Sequence, residues 1–166
     1  MKISDPSSSK LTIVHYSADV WEHVCPVLRV VGPTQQAGWY LIHGNEREQG
    51  SWCFYPEKVE QGDIVLIQRD FPRFVETYQE VVAKARAMNK PVIYEIDDLL
   101  TELPKIHPDY ERYMNVRAAI LAAIVEADGV ICSTSAIQDY VHDFNPNTWV
   151  FPNYLNDNLW THQFPP

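Results

Sequence analysis

Residues 92–100 read VIYEIDDLL, an apolar run that ends on two adjacent carboxylates, Asp97 and Asp98. Val, Ile and Tyr are frequent in strands, and a nearly continuous apolar run is typical of a parallel strand that is buried on both faces. The stretch therefore predicts a core strand with two anionic side chains at its end. Such a pair could hold a metal, a phosphoryl group or a sugar, or could only cap a helix.

The rest of the chain repeats this strand pattern and alternates it with amphipathic helices. The further strand segments are residues 11–17, 39–44, 63–70, 128–133 and 148–153. The helical segments are residues 20–31, with Pro26 near the first turn, and residues 73–88, 110–127 and 135–141. Strands that alternate with helices indicate a parallel sheet. We predict an α/β fold with a Rossmann-like, doubly wound, mainly parallel sheet of about six strands and helices on both faces.

The chain divides into a tail, one domain and a terminal segment. Residues 1–10 are polar and rich in serine, which predicts a flexible N-terminal tail. Residues 11–153 are expected to form the Rossmann-like domain, and residues 154–166 a linker. Within the domain, Ser135 and Gln138 have the spacing of a capping box at the start of the last helix.

The composition limits the partners and the compartment. The chain carries 13 basic and 22 acidic side chains, which argues against nucleic acid or an anionic membrane as the main partner. Any membrane contact is expected to be at most peripheral. The three cysteines form no C-x-x-C pair, which indicates reduced thiols and a cytoplasmic protein. No apolar run is long enough to predict a spanning helix.

Several site motifs are absent from the sequence. There is no G-x-G-x-x-G after a predicted strand and no G-x-x-x-x-G-K-[ST], which argues against dinucleotide binding and a P-loop. There is also no H-E-x-x-H and no G-x-S-x-G, which argues against a zinc protease and an α/β-hydrolase. Functional residues are therefore expected at the strand ends.

Ligands of open parallel sheets bind at the carboxyl ends of the strands, where the crossover direction reverses. The polar candidates at these ends, together with one on the first helix, are Arg29, Arg69, Asp97, Asp98, Ser133, Thr134 and Asn153. Some of them also have simpler interpretations. Ser133 and Thr134 could be helix-capping groups, and Asn153 could form a turn.

The charged candidates leave several alternatives open. Asp97 and Asp98 could form a magnesium site like that of response-regulator receivers, could act as a general acid or base or bind sugar hydroxyls, or could only cap a turn. Arg29 could bind an anion near a helix N-terminus, or could extend along a helix face to solvent. Arg69 could simply pair with Asp70 or with a helix cap.

Three segments carry a resemblance through their order along the chain. They are KPVIYEIDDLL (90–100), EADGVICSTSAIQDYV (126–141) and FNPNTWVFPNYLND (144–157). Together they resemble the N-terminal domain of the group-one glycosyltransferases with the GT-B fold. Asp97-Asp98 stands where that family commonly has His-Asp, and PNYLND stands where it has Pro-Asn-Gly-x-Asp. CPVLRVVGP (25–33) resembles the Arg-bearing loop and helix that follow the first strand in some members.

The resemblance implies the acceptor-binding N-terminal half of a nucleotide-sugar-dependent glycosyltransferase, of the type that retains the anomeric configuration. Asp97 would be catalytic, in the place of the histidine that contacts the transferred sugar, and Asp98 would orient the loop. Arg29 would bind a donor phosphate or an anionic acceptor, and Asn153 would lie near the hinge. The other implied acceptor-side residues are Arg69, Ser133 and Thr134.

The resemblance also implies a second domain. In the family a C-terminal domain binds the donor nucleotide with an E-x7-E motif, and this sequence has no such pair of glutamates. Residues 154–166 would then be a linker toward that domain, and the isolated chain would be inactive. The implied partners are a sugar, glycan or lipid acceptor and the donor-binding domain. No metal is implied, and no cofactor other than the nucleotide-sugar co-substrate.

Two interpretations from other classes remain open. One is a non-catalytic flavodoxin-like or receiver-like binding module with an acidic site at Asp97 and Asp98. The other is an interaction domain in which Trp39, Trp52 and Trp160 face a partner protein.

Overall fold

The computed structural model describes residues 10–153. Its strands are β1 (Thr12–Ser17), β2 (Tyr40–His43), β3 (Asn45–Glu48), β4 (Ser51–Phe54), β5 (Ile64–Gln68), β6 (Val92–Ile96), β7 (Gly129–Cys132) and β8 (Thr148–Val150). Its α-helices are α1 (Val24–Pro26), α2 (Gly32–Gln36), α3 (Val75–Ala87), α4 (Tyr110–Glu126) and α5 (Ser135–His142). A π-helical turn (Val27–Val31) joins α1 to α2, and 3-10 turns lie at Pro56–Gln61, Phe71–Arg73 and Leu100–Glu102.

Some predictions fall outside this range. The predicted tail, apart from Lys10, and the predicted linker at residues 154–166, which includes Trp160, lie outside the described residues. None of the helices in residues 10–153 is long and apolar enough to cross a membrane.

Six strands form one parallel sheet in the order β2-β1-β5-β6-β7-β8. These strands lie within the six predicted segments. The chain first adds β2 on one side of β1 and then adds β5 to β8 on the other side, so the crossover direction reverses between β1 and β5. The predicted α/β class and the Rossmann-like parallel sheet are confirmed.

Helices cover both faces of the sheet, as predicted. α3, α4 and α5 pack on one face around the main core. The largest strand side chains of that core with less than 2% exposure are Tyr16, Ile67, Tyr94 and Ile96. On the opposite face the π-helical turn supplies Val30, which packs on Ile13 and Leu66 in a smaller cluster.

The helical segment after β1 is irregular. It begins at Val24 and continues to Gln36, so it starts and ends later than the predicted segment 20–31. Pro26 lies near its first turn, as predicted. The π-helical turn carries Arg29, and such turns occur often at functional sites. Because β1 ends at Ser17 and the helical segment begins at Val24, residues 18–23 form a loop at the carboxyl end of β1.

The antiparallel hairpin of β3 and β4 was not predicted. Each strand has four residues, and Asn45 pairs with Phe54. Its turn residues Gln49 and Gly50 both have positive φ, 48° and 85°, which is typical of tight hairpin turns. The hairpin was missed because the short polar run NERE has no apolar alternation. The Gln-Gly pair was the available signal.

The capping box predicted at Ser135 and Gln138 is wrong by one residue. The N-cap is Thr134, whose hydroxyl accepts a hydrogen bond from the backbone N–H of Ile137 at 3.3 Å. Gln138 does not reach back to the cap. Its amide donates to the backbone oxygen of Thr148 at 3.1 Å and so ties α5 to β8.

Candidate functional site

Polar side chains gather where the parallel strands end, beside the reversal of strand order. Asp19 follows β1, Arg69 follows β5, Asp97 and Asp98 follow β6, and Ser133 follows β7. We call this group the carboxyl edge. Its position is the one at which open parallel sheets bind ligands. The parallel sheet brings the predicted strand-end residues Arg69, Asp97, Asp98 and Ser133 to one edge, together with Asp19, which was not predicted.

Arg69 is the centre of the carboxyl edge. Its guanidinium lies 3.1 Å from Asp97 Oδ1, 3.4 Å from Asp98 Oδ2 and 3.8 Å from Asp19 Oδ2. Its backbone has a φ of +51°, a left-handed conformation that is costly for a side chain with a Cβ. The backbone N–H of Arg69 donates to the oxygen of Glu95 at 2.8 Å, which holds this conformation in place. The alternative pairing with Asp70 is wrong.

The two adjacent aspartates have different environments. The Asp97 side chain is 9% exposed, and the Asp98 side chain is 61% exposed. The hydroxyl of Ser133 donates to the backbone oxygen of Asp97 at 2.8 Å, so β7 fixes the loop after β6. Asp97 is therefore a fixed, partly covered acceptor, and Asp98 is an acceptor that is open to solvent.

A thiol also contacts the centre of the site. Arg69 Nη1 lies 2.8 Å from the sulfur of Cys25, which the α1 helix brings to the edge. Burial raises the pKa of the Cys25 thiol to about 11, and Arg69 opposes that rise. The neutral thiol is a weak nucleophile, so Cys25 acts here as a packing and hydrogen-bonding group.

Arg29 is buried beneath the carboxyl edge. Its Nε donates to Glu95 Oε1 at 2.6 Å, and the two side chains are 1% and 2% exposed. Its Nη1 donates to the backbone oxygen of Phe151 and, at 3.1 Å, to Asn153 Oδ1. The alternative in which Arg29 extends to solvent is wrong because the guanidinium is buried. The pair ties β6 to the segment after β8.

A row of buried polar residues lies on the sheet face that carries Glu95, and this row was not predicted. Gln68 lies between Ser17 and Glu95 in the strand register, and the hydroxyl of Ser17 donates to Gln68 Oε1 at 3.0 Å. Burial lowers the pKa of His15 to about 3, so this imidazole is neutral. Burial raises the pKa of Glu95 to about 7 although Arg29 opposes it. The available signal was a polar residue at alternate positions of apolar strands.

The predicted site residues therefore form two groups. Arg69, Asp97, Asp98 and Ser133 meet at the carboxyl edge. Arg29 and Asn153 meet at the end of the described chain, and they contact the first group only through Glu95 and the sheet. Thr134 belongs to neither group, because its hydroxyl caps α5. The capping alternative holds for Thr134, whereas Ser133 supports the aspartate loop.

A cavity of about 260 Å³ opens beside the carboxyl edge, between the loop after β1 and the hairpin. It is lined by Val20, Trp21, Glu22, His43, Glu46, Arg47 and Trp52. Trp21 stacks on His43 with ring centroids 3.2 Å apart and an angle of 6°. The indole N–H of Trp21 donates to the backbone oxygen of Asn45 at 3.3 Å, which fixes the ring. We call this the tryptophan cavity.

The three carboxylates of the carboxyl edge share one guanidinium, that of Arg69. Within residues 10–153, no group of three or more His, Cys, Asp or Glu side chains is arranged to hold a metal ion. The guanidinium of Arg69 lies among the carboxylates of Asp19, Asp97 and Asp98, where it supplies the positive charge that a cation would supply. The arrangement suits hydrogen bonding to a polar ligand.

The fold and this edge define an α/β protein with a charged edge at the switch point of a parallel sheet. No protein-family model matches the chain, and no curated protein matches it. Its function is therefore inferred from the carboxyl edge.

Proposed function

We propose that this chain is the acceptor-binding half of a nucleotide-sugar-dependent glycosyltransferase, of the retaining type that the resemblance implies. The observation that carries the proposal is the pair Asp97 and Asp98 at the end of β6, close to the reversal of strand order. One carboxylate of the pair is fixed by Arg69, and the other is open to a ligand.

The chemistry of the pair fits sugar hydroxyls. A carboxylate is a strong hydrogen-bond acceptor, and each sugar hydroxyl can donate to it while accepting from a neighbouring group. Asp98 is exposed enough to bind an incoming hydroxyl directly. Asp97 has little freedom to move, because it is held by Arg69 and by the loop contact with Ser133. A fixed acceptor is what positioning a reacting hydroxyl requires.

The proposal divides the work between two domains. This chain binds the acceptor, and a further domain binds the donor nucleotide. In this division Arg29 holds the segment after β8 in place, because it donates hydrogen bonds to the backbone oxygen of Phe151 and to the side chain of Asn153. Its charge is already matched by Glu95, so the role for Arg29 that agrees best with its contacts is positioning of the chain that leaves the domain.

Saccharide binding by the 166-residue chain tests the proposal. The probes are the methyl glycosides of glucose, galactose and mannose, with UDP and UDP-glucose as donor-side comparators, measured by saturation-transfer NMR. We expect one of the glycosides to bind with a dissociation constant of about 1 mM, and the donor compounds to bind more weakly. Tighter binding of UDP than of every glycoside would contradict the assignment of the acceptor to this chain and of the donor nucleotide to a further domain.

Variants locate that binding. Asp98→Asn removes the exposed carboxylate and should weaken glycoside binding about tenfold, the effect of one lost charge-assisted hydrogen bond. Asp143→Asn is the matched control, because Asp143 is an exposed aspartate after α5, away from the carboxyl edge. Equal affinities of both variants would exclude the aspartate pair as the sugar site. Incubation with UDP-glucose should give no transfer by the isolated chain.

The second candidate is a non-catalytic flavodoxin-like or receiver-like module. It is favoured by the order β2-β1-β5-β6-β7, which corresponds to the flavodoxin-like order 2-1-3-4-5. Such a receiver would take a phosphoryl group with magnesium at its acidic residues. The guanidinium of Arg69 already lies between these carboxylates, where a magnesium ion would have to bind, so we expect no labelling by acetyl phosphate. Magnesium-dependent labelling that Asp97→Asn abolishes would favour this candidate instead.

A further inference from the structure

The tryptophan cavity has walls and a rim of different chemistry. Trp21 and Trp52 are half-buried and line it with aromatic surface. Trp52 packs on Phe54 and on Phe74, with centroids 6.4 and 5.9 Å away, so its ring is held in place. Both tryptophans are thus fixed before any ligand binds. Preorganised aromatic surface loses little entropy on binding.

The rim charges favour a neutral ligand. Glu22 and Glu46 would repel an anion, whereas Arg47 at the rim would repel a cation. Lys58 lies 3.7 Å from Glu46 and offsets its charge. Burial lowers the pKa of His43, so its ring adds no positive charge at neutral pH. Groups that both donate and accept, such as hydroxyls, can satisfy carboxylates and a guanidinium together.

The cavity lies next to the carboxyl edge along the chain. Asp19, which pairs with Arg69, is followed directly by Val20, Trp21 and Glu22 of the cavity wall. The loop after β1 therefore contributes both to the carboxyl edge and to the cavity wall. A volume of about 260 Å³ is near the lower end for ligand pockets and suits one small ring.

We propose that the tryptophan cavity binds one pyranose ring of the acceptor, against the indoles of Trp21 and Trp52, with its hydroxyls bonded to Glu22, Glu46 and Arg47. The acceptor role of this ring rests on the proposed function. The binding of a neutral saccharide in the cavity is independent of the proposed function. The cavity selects a ligand with one apolar face and a polar periphery, and it anchors that ligand at a distance from the reacting hydroxyl.

The test is a titration of the 15N-labelled chain with methyl glycosides and with cellobiose and maltose, followed on the indole N–H signals. We expect the signals of Trp21 and Trp52 to shift and those of Trp39 and Trp149 to stay. Trp52→Ala should weaken disaccharide binding about tenfold, and Trp39→Ala, an exposed tryptophan at the opposite end of β2, should not.

A rim variant keeps the test independent of folding. Glu22→Gln changes an exposed side chain and should weaken binding several-fold without changing the thermal unfolding midpoint. Unchanged affinity in both Trp52→Ala and Glu22→Gln would overturn the inference. Adenosine or choline shifting these indole signals while no saccharide does so would overturn it as well.

The outcomes separate this inference from the proposed function. If Trp52→Ala weakens binding and Asp98→Asn does not, the cavity binds sugar and the aspartate site fails. If Asp98→Asn weakens binding and the two cavity variants do not, the aspartate site stands and the cavity inference is overturned. Weakening by both, with a larger effect on disaccharides than on methyl glycosides for Trp52→Ala, is the expected result.

Discussion

Replacing Arg29 with methionine is expected to destabilise the fold strongly, because Glu95 would stay buried without its partner. The two side chains are 1% and 2% exposed, and Arg29 Nε lies 2.6 Å from Glu95 Oε1. Methionine keeps apolar volume but removes the charge and the hydrogen bonds to Phe151 and Asn153. Breaking such a buried pair by removing one partner costs about 3–5 kcal/mol.

The unfolding free energy lost in Arg29→Met should depend on pH, because Glu95 titrates. Burial raises its pKa from 4.5 to about 7, and Arg29 opposes the rise. A carboxyl with a raised pKa in the folded state stabilises the fold fully below about 4.5, and that contribution is lost as the pH rises through about 7. Without Arg29 the pKa rises further and the loss continues to higher pH. Arg29→Met should therefore cost more above about pH 7 than below it.

Urea unfolding followed by tryptophan fluorescence, at about pH 6 and about pH 8.5, measures these free energies. Glu95→Gln and the double variant with Arg29→Met complete a thermodynamic cycle. The unfolding free energy of the double variant should fall by less than the sum of the two single decreases, and the difference should be about 1 kcal/mol or more. A loss below about 1 kcal/mol for Arg29→Met at both pH values, or additive losses, would refute the reasoning.

Two further changes test local features by the same unfolding measurement. Thr134→Ala should cost about 1 kcal/mol because it removes the N-cap of α5, whereas Ser135→Ala should cost less than about 0.5 kcal/mol. Equal losses of unfolding free energy in the two variants would contradict the assignment of Thr134 as the N-cap. Gly44→Ala should cost about 1–3 kcal/mol, because its Cβ would lie 2.4 Å from the buried Tyr16 ring. Gly129→Ala, whose Cβ would meet an exposed tryptophan ring, should cost less, and the reverse order would contradict the packing.

Much of the sheet could be predicted from the sequence because its strands are continuous apolar runs. VIYEI needs burial on both faces, and a parallel sheet between helices provides it. The polar residues that follow such runs therefore had to meet at one edge. This is why Arg69, Asp97, Asp98 and Ser133 were found together without knowledge of the strand order.

The contacts that depend on pairing across the sheet could not be predicted. Arg29 and Glu95 are 66 residues apart, and although Arg29 was a candidate for anion binding, nothing in its segment indicated Glu95 as its partner. For Arg69, pairing with its neighbour Asp70 was one of the alternatives. In the structure Asp70 turns to Arg73, and Arg69 reaches across to Asp97. Adjacent residues of opposite charge did not pair here because Arg69 lies in the turn after β5 with a φ of +51°, which directs its side chain away from that of Asp70.

The most direct test of sugar binding at the carboxyl edge is a backbone amide shift map of the 15N-labelled chain during a saccharide titration. We predict saturable shifts at Asp19, Arg69, Asp98 and Ser133, and none at the amino ends of the strands. Shifts confined to the amino ends, or no saturable shift with any saccharide up to about 100 mM, would contradict the account.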